Sequence, residues 1–180
     1  MPTLGSDLRN KLEKVVVQAR EAAEAGARAA LEALAVHHYE PYPHMTPAQR
    51  TLRNHLRARA RQLGDQQDKS GRLGIGHLVG ECAYEHWHRM LFARFLAENN
   101  LLIEPRENIA ISLDEAEELA KEEGSDVWVF ASRCAQDMLP QIFRPDDPLL
   151  AVSFATEHQL RLEGLLASLP SAVFTASDAL

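Results

Sequence analysis

The residues best suited to chemistry lie in one short segment, ECAYEHWHRM, which begins at Glu81. Within it, Glu85 and His88 form a Glu-x-x-His unit, the spacing with which helical bundles hold a di-iron centre. Such a centre needs the unit twice and two further glutamates, and the sequence contains no second copy. A metal-dependent helical-bundle enzyme built on His77, Glu81, Glu85 and His88 is therefore a distant hypothesis. We predict no catalytic residue and no metal ligand in this chain.

The helix that would contain these groups favours a structural role for them. On a helical wheel, residues 77–98 are apolar over most of the circumference, and a helix of that kind is normally buried. The narrow polar sector contains His77, Glu81, Glu85, His88 and Arg89. We expect Glu85 to pair with Arg89 one turn on, and His88 to bond to a neighbouring helix. The prediction is a core helix with a hydrogen-bonded polar seam.

A basic segment, residues 44–72, is the other functional candidate, with seven Lys and Arg side chains against two acids and a local net charge of +5. Residues 98–126 have the opposite balance, −8. Arginines of the basic segment recur every three or four residues, so they form one stripe along a helix. A stripe of this kind contacts phosphates without choosing a sequence. The predicted nucleic-acid contacts are Arg50, Arg53, Arg57, Arg61, Lys69 and Arg72.

A second interpretation of this stripe stays open, namely a solvated or acid-paired arginine face. The whole chain has a net charge of −7, which opposes tight DNA binding. The glycine-rich stretch at residues 64–76 is predicted to be a flexible loop. No Lys-Ser or Lys-Thr pair follows a second glycine there at the spacing of a phosphate-binding loop, so the sequence predicts no cofactor-binding residue.

Composition indicates a globular protein of one domain. The 180 residues are 46% hydrophobic, which is enough to bury a core, and no window approaches the roughly 20 apolar residues that span a bilayer. The N-terminal sequence lacks the basic-then-apolar order of a secretion signal, so we expect a cytoplasmic location and no membrane partner. Cys82 and Cys134 stand far apart within apolar helical patterns, which predicts two reduced core thiols.

Periodicity predicts a mainly α fold, a multi-helix bundle with at most a few short strands around residues 101–111 and 149–154. Residues 1–40 are predicted to form one long amphipathic helix with an alanine-rich stripe. Residues 41–180 are predicted to form a helical domain around a core helix at about 77–98, with the first helix packed on it. Three helices are predicted to begin at capping boxes, formed by Thr46 with Gln49, Ser112 with Glu115, and Thr156 with Gln159.

Four phrases of the sequence resemble a known family: HLVGECAYEHWHRMLFARFLAENNLL, ISLDEAEELAKEEG, MLPQIFRPDDPLLAV and LPSAVFTASDAL. Together they are similar to the N-terminal region of large adenine-specific (N6) DNA methyltransferases. These enzymes are of the kind found in the BREX and DISARM phage-defence systems and in type IIG restriction–modification enzymes. The similarity covers roughly residues 45–180. It implies that the chain is the helical front of a longer protein, which continues after Leu180.

The resemblance implies a parent enzyme that binds S-adenosylmethionine through a glycine-rich loop after a strand and holds a flipped adenine with an Asn-Pro-Pro-aromatic motif. Neither motif is in these 180 residues, because Asn99-Asn100 is not followed by proline and Gly74-x-Gly76 does not follow a strand pattern. No catalytic or cofactor-binding residue can therefore be assigned in this chain, and we expect no cofactor in it.

Three hypotheses of different classes follow. The first is a non-catalytic helical domain of an adenine methyltransferase that assists DNA placement or assembly. Its partners would be DNA and the methyltransferase core or other defence-system subunits. The second is a protein-interaction module without nucleic-acid binding, in which the alanine stripe and the acidic helix dock another subunit. The metal-dependent enzyme is the third.

Overall fold

The computed structural model describes residues 5–141, 143–144 and 146–174. Within that part of the chain the fold is mainly α, with six α-helices and a single two-stranded antiparallel sheet, which confirms the predicted fold class. The helices are α1 (Ser6–Ala33), α2 (Pro47–Gln62), α3 (Gly76–Glu98), α4 (Leu113–Glu122), α5 (Val127–Met138) and α6 (Thr156–Ala167). The strands are β1 (Ile103–Glu104) and β2 (Ile109–Ala110), and 3₁₀ turns occupy Pro148–Ala151 and Ser171–Val173. The first four residues, and the end of the phrase LPSAVFTASDAL up to Leu180, lie outside the described residues.

The described residues divide into two compact units. Unit one contains residues 18–87 and 146–164, and unit two contains the described parts of 1–17, 88–145 and 165–180. Helices α1 and α3 each contribute residues to both units. Each unit buries apolar side chains of its own.

In unit one, the alanine-rich stripe of α1 is buried. Ala23 and Ala27 are 0% exposed. Gly26 lies on the same stripe, and a Cβ atom at this position would stand 2.9 Å from Cδ2 of Phe154 and 3.0 Å from Cβ of His158. Small residues on α1 therefore let Phe154, just before α6, and His158, within α6, approach the α1 backbone closely. The largest fully buried side chains of the unit are Leu31, Val36, Leu56, Leu73, Leu78, Leu149, Val152 and Leu162.

Unit two is organised around α5, which packs against α4 and β1. Its core cluster includes Leu96, Leu102, Ile111, Ala116, Phe130, Cys134 and Phe143. Nearer the surface, the Glu123 carboxylate accepts from Arg106 at 2.7 Å and from Arg133 at 2.5 Å. The hydrogen bond from Arg133 lowers the pKa of Glu123. The Glu123 carboxylate, at the end of α4, therefore links the turn between β1 and β2 to α5.

Local capping signals determine where several helices begin. Thr46 Oγ1 accepts from the Gln49 N–H at 3.2 Å, and the Gln49 side chain accepts from the Thr46 N–H at 2.9 Å. Ser112 and Glu115 form the same reciprocal pair at the start of α4. Asp126 caps α5 by accepting from two of its first N–H groups. The capping boxes predicted for α2 and α4 are therefore confirmed, because both depend on residues only three positions apart.

The third predicted capping box is wrong. Helix α6 begins at Thr156 itself, so this threonine is the first helical residue and not the residue before the helix. The Gln159 backbone N–H donates to Ala155 O, and its side-chain amide donates to Glu163 at 2.8 Å. Thr156 and Gln159 have the spacing of a capping box, but the residue that precedes the helix is Ala155, so the pair lies one residue too late to cap it.

The region 149–154, for which the sequence predicts at most a short strand, begins within a 3₁₀ turn. The Asp147 carboxylate accepts from the Leu149 N–H at 3.0 Å, which caps the turn. Pro148 at the first position fixes φ near the helical value. The local sequence before residue 149 therefore favours a turn over an extended strand.

Replacing Gly26 with alanine is expected to destabilise the protein by up to about 2 kcal/mol, because overlap of the added methyl group with the half-buried Phe154 costs about 1–3 kcal/mol and the gain in helix propensity offsets about 1 kcal/mol of this. Gly164→Ala is the matched control. Gly164 lies within α6 with nothing within 4 Å of its Cβ position, so alanine there should stabilise by about 0.5–1 kcal/mol through helix propensity. Urea unfolding followed by circular dichroism measures both. Equal effects of the two variants would contradict the close approach at Gly26.

Candidate nucleic-acid interface

Four of the six predicted nucleic-acid contacts lie on α2, and two lie on the loop that follows it. The buried residues of α2 are Arg53, Leu56, Arg57 and Ala60, at the spacing of one helix face. Arg53 is only 4% exposed and Arg57 only 6%. Two arginines of the predicted stripe therefore face the interior of unit one instead of solvent.

Arg53 is hydrogen-bonded to the backbone of the segment that leaves α1. Its Nε donates to Ala35 O at 2.9 Å, and its Nη2 donates to His38 O at 2.5 Å and to Tyr39 O at 2.9 Å. Burial lowers the pKa of the Arg53 guanidinium, which still stays charged because the ordinary pKa of arginine lies far above neutral pH. Three carbonyl dipoles therefore stabilise this buried cation.

Arg57, one turn further along, bonds to the same segment. Its Nη1 donates to Val36 O at 2.6 Å and to His38 O, and its Nη2 donates to Gly71 O at 3.4 Å. Burial lowers the pKa of Arg57, and the charges of neighbouring arginines lower it further. The carbonyl of His38 accepts from both Arg53 and Arg57, so the two side chains share one acceptor.

The end of α1 explains why these carbonyl groups are available. Ala35 has a φ of 52°, in the left-handed region, and the N–H groups of Ala35 and Val36 donate to Glu32 O and Leu31 O. This is the Schellman ending of a helix, which is usually built on glycine. Beyond it the backbone leaves the helix, and its carbonyl groups need donors from elsewhere. The two arginines supply those donors.

The other four predicted contacts have exposed side chains. Arg50 donates through Nε to Met45 O at 3.1 Å and through Nη2 to Pro43 O at 3.2 Å. The remaining exposed cations are Arg61, Lys69 and Arg72. The predicted stripe is therefore split. Three of its arginines bond to the backbone between residues 35 and 45, and three cations face solvent.

The glycine-rich loop after α2, for which the sequence predicts flexibility, is a bonded turn. Asp68 Oδ1 accepts from the Ser70 N–H at 2.8 Å, from the Ser70 hydroxyl at 2.6 Å and from the Arg72 N–H at 3.1 Å. The hydrogen bond from the Ser70 hydroxyl lowers the pKa of Asp68. The Leu73 N–H donates to His37 O at 3.0 Å. The turn is thereby tied to the segment that follows α1.

A row of rings in the segment HHYEPYPHM was missed by the sequence reasoning, which treats this segment only as a helix break. Ring centroids are 4.7 Å apart for His37 and His38, 5.5 Å for His38 and Tyr42, and 5.7 Å for Tyr42 and His44. The last two rings are nearly parallel, at 14°. Tyr39, which lies between His38 and Tyr42 in the sequence, is 65% exposed. Five ring side chains within nine residues were the available signal.

One of the groups that suggested metal chemistry, Glu81, is paired with an arginine of α2. This arginine is Arg59, which lies off the predicted stripe. The hydrogen bond to Glu81 raises the pKa of Arg59, and the charges of Asp147 and Glu85 add to this effect. Within the described residues, no three His, Cys, Asp or Glu side chains are placed to hold a metal ion. The arrangement is that of an ion-paired helix surface.

Helix α3 is less buried than its apolar pattern predicts, since Tyr84 is 48% exposed and Trp87 is half-buried. Its histidine His88 is also half-buried, and burial lowers the pKa of this imidazole, with a further contribution from the charge of the adjacent arginine. The prediction of two free core thiols is confirmed. Burial raises the pKa of Cys82 to about 12 and that of Cys134 to about 11. Both thiols are therefore protonated and unreactive at neutral pH.

Comparison of this chain with protein-family models, with curated proteins and with solved structures gives no match. No helix in the described part of the chain combines the length and the apolar character that crossing a bilayer requires. The family resemblance and the DNA contacts stay predictions.

Arg53→Met is expected to destabilise the protein by about 2–4 kcal/mol, because it removes a charged donor from three buried or partly buried carbonyl groups. Arg61→Met is the matched control, the same replacement on the exposed face of the same helix. It should change the free energy of unfolding by no more than about 0.5 kcal/mol. Chemical denaturation of both variants gives the comparison. A small, equal effect at the two positions would show that Arg53 does not stabilise the interior.

Proposed function

We propose that this chain is a non-catalytic helical module of an adenine-specific DNA methyltransferase of the phage-defence or restriction–modification kind. Its role is to help place DNA against the methyltransferase core, or to assemble that core with other subunits. The core would bind S-adenosylmethionine and perform the transfer, and the protein would act in the cytoplasm. The proposal rests on the resemblance of residues 45–180, which concerns the helical front of such enzymes and none of their catalytic motifs.

The observation that best supports DNA contact is the position of the three exposed cations. Arg72 precedes Leu73, whose N–H donates to His37 O, and Arg61 lies one turn beyond Arg57, which donates to Val36 O, so both cations lie close to the segment that follows α1. Lys69 belongs to the same bonded turn as Arg72. Three phosphate contacts would give weak binding without sequence choice. The logarithm of the affinity should fall with the logarithm of salt concentration with a slope of about −3.

Fluorescence anisotropy with a labelled duplex of about 20 base pairs tests this role at salt concentrations from about 25 to 200 mM. The triple variant Arg61→Glu, Lys69→Glu, Arg72→Glu should abolish measurable binding, because three attractive contacts become repulsive. The matched control is Arg9→Glu, Lys11→Glu, Lys14→Glu, which changes the net charge equally on the exposed face of α1. It should reduce affinity far less.

Two outcomes would contradict DNA contact at this surface. One is the absence of binding by the unmodified protein at the lowest salt concentration. The other is an equal loss of affinity in both triple variants, which would show that the net charge of the chain matters and the position of the cations does not.

A protein-interaction module is the second candidate, and one observation on α4 favours it. Asp114, Glu118 and Glu122 are exposed and four residues apart, so they form one acidic stripe. Lys121, the basic residue of this helix, is paired with Glu117 at 2.7 Å. A partner with a basic surface would relieve repulsion along the stripe. The alanine stripe of α1 is buried within the chain, so docking would depend on α4 alone.

Neutralising the stripe with Asp114→Asn, Glu118→Gln and Glu122→Gln should stabilise the free protein by about 0.4–1 kcal/mol, because two like-charge pairs at four-residue spacing are removed. The gain should vanish in high salt. Glu117→Gln is the control, since it removes an attractive pair and should not stabilise. Urea denaturation at two salt concentrations measures all of these. A loss of stability in the triple variant would show that the acids are balanced within the chain.

A further inference from the structure

We propose that the segment after α1 forms a stacking platform for unpaired bases of single-stranded nucleic acid. The aromatic platform is defined by His38, Tyr39, Tyr42 and His44. This inference rests on the proposed nucleic-acid contact and deepens it, because it names the ligand as a single strand and assigns binding to rings as well as to cations.

Exposure and spacing of the rings support this assignment. Tyr39 is 65% exposed, His38 and His44 are exposed, and Tyr42 is half-buried. The rings of His38, Tyr42 and His44 follow one another at 5.5 and 5.7 Å between centroids. A row of exposed rings beside cations is how proteins without sequence preference hold single strands, because every base offers a face for stacking.

The backbone beneath the rings is fixed by the arginines of α2. The carbonyl of His38 accepts from Arg53 and Arg57, that of Tyr39 accepts from Arg53, and Arg50 bonds to Pro43 O. Three arginines predicted to touch DNA therefore position the platform. A surface whose rings are already held in place loses less conformational entropy when a ligand binds.

Charge around the platform is suited to a phosphate backbone. Arg72 precedes Leu73, whose N–H donates to His37 O at 3.0 Å, and Arg61 lies one turn beyond Arg57 on α2. The acids nearby are Glu32 at the end of α1 and Glu40 in the same segment, both exposed, and Asp68, whose carboxylate accepts three hydrogen bonds within its own turn. Cations thus outnumber free carboxylates at this surface.

A single strand fits these features better than a duplex does. Bases in a duplex are stacked on each other and offer only their edges in the grooves, whereas the bases of a single strand offer their faces. The platform is a row of partly or largely exposed rings on an irregular segment, and this segment is neither a helix nor a strand of the kind that enters a groove. Rings and arginines are also common at protein interfaces, so protein binding is an outcome that the experiment must detect.

Anisotropy of a labelled single strand of about 12 nucleotides, and of the duplex of the same sequence, tests the platform at about 50 mM salt. Tyr39→Ala with Tyr42→Ala should weaken single-strand binding by about tenfold or more and change duplex binding by less than about twofold. Tyr39→Phe with Tyr42→Phe should keep single-strand affinity, because the stacking face remains. Tyr84→Ala, an exposed tyrosine of α3 in the same unit, is the matched control and should have no effect.

Folding and self-association controls make the result decisive. Circular dichroism and urea midpoints of the alanine and phenylalanine pairs separate lost stacking from lost structure. If alanine and phenylalanine variants bind the single strand as tightly as the unmodified protein does, the platform is overturned. A change in light scattering for the alanine pair, with single-strand affinity intact, would assign the rings to protein contact instead.

The same measurements separate this inference from the proposed function. Equal binding of single strand and duplex, weakened only by the Arg61, Lys69 and Arg72 triple variant, would overturn the platform and leave DNA placement standing. A single-strand affinity that depends on the tyrosines, with no duplex binding, would support the platform and contradict duplex placement. No binding of either ligand would overturn both.

Discussion

Two buried guanidinium groups and one irregular stretch of backbone depend on each other in this protein. Arg53 and Arg57 bring two positive charges into the interior of unit one, where each charge needs polar groups around it. The chain that leaves α1 after Ala35 has carbonyl groups that need donors. Each requirement is met by the other, because the arginines donate to the carbonyl oxygens of residues 35, 36, 38 and 39. Loss of either partner would leave polar groups of the other unsatisfied, so each of the two features stabilises the other.

The hydrogen bonds of Arg53 and Arg57 contribute more to stability than an ordinary surface ion pair does. Arg59 and Glu81 keep side chains that are 33% and 19% exposed, and a pair in such partial solvent contributes only about 0–1 kcal/mol. The bonds to Ala35 O, Val36 O and Gly71 O are buried, so a missing partner there costs the desolvation of a polar group, whereas the bonds to His38 O and Tyr39 O are partly buried. These bonds therefore fix the conformation of residues 35–45. Side chains on this backbone, including the rings, are held in positions that they would not share in a loose loop.

The sequence predicts local features well and the orientation of α2 poorly, for one physical reason. Capping boxes at Thr46 and Ser112 depend on residues three positions apart, so the sequence contains all that they need. The helical spacing of the arginines can also be read from the sequence. The face that they share cannot, because a charged arginine is normally expected to face solvent, whereas Arg53 and Arg57 share a buried face with Leu56. The carbonyl groups that reverse this preference become available because Ala35, just after α1, has the left-handed conformation. This position of a helix end is usually occupied by glycine, so the sequence does not indicate it.

Arg53 and Arg57 stay charged although they are buried, so they still contribute to the electrostatics of the surface above them. Carbonyl groups satisfy the N–H donors but are neutral, so the positive charges of Arg53 and Arg57 are not cancelled as the charge of Arg59 is by Glu81. A charge in a weakly polarisable interior is screened less than one in water, and its field extends to the surface above it. The rings of the segment after α1 lie at that surface. The same two side chains therefore fix the shape of this segment and bring two positive charges close beneath it.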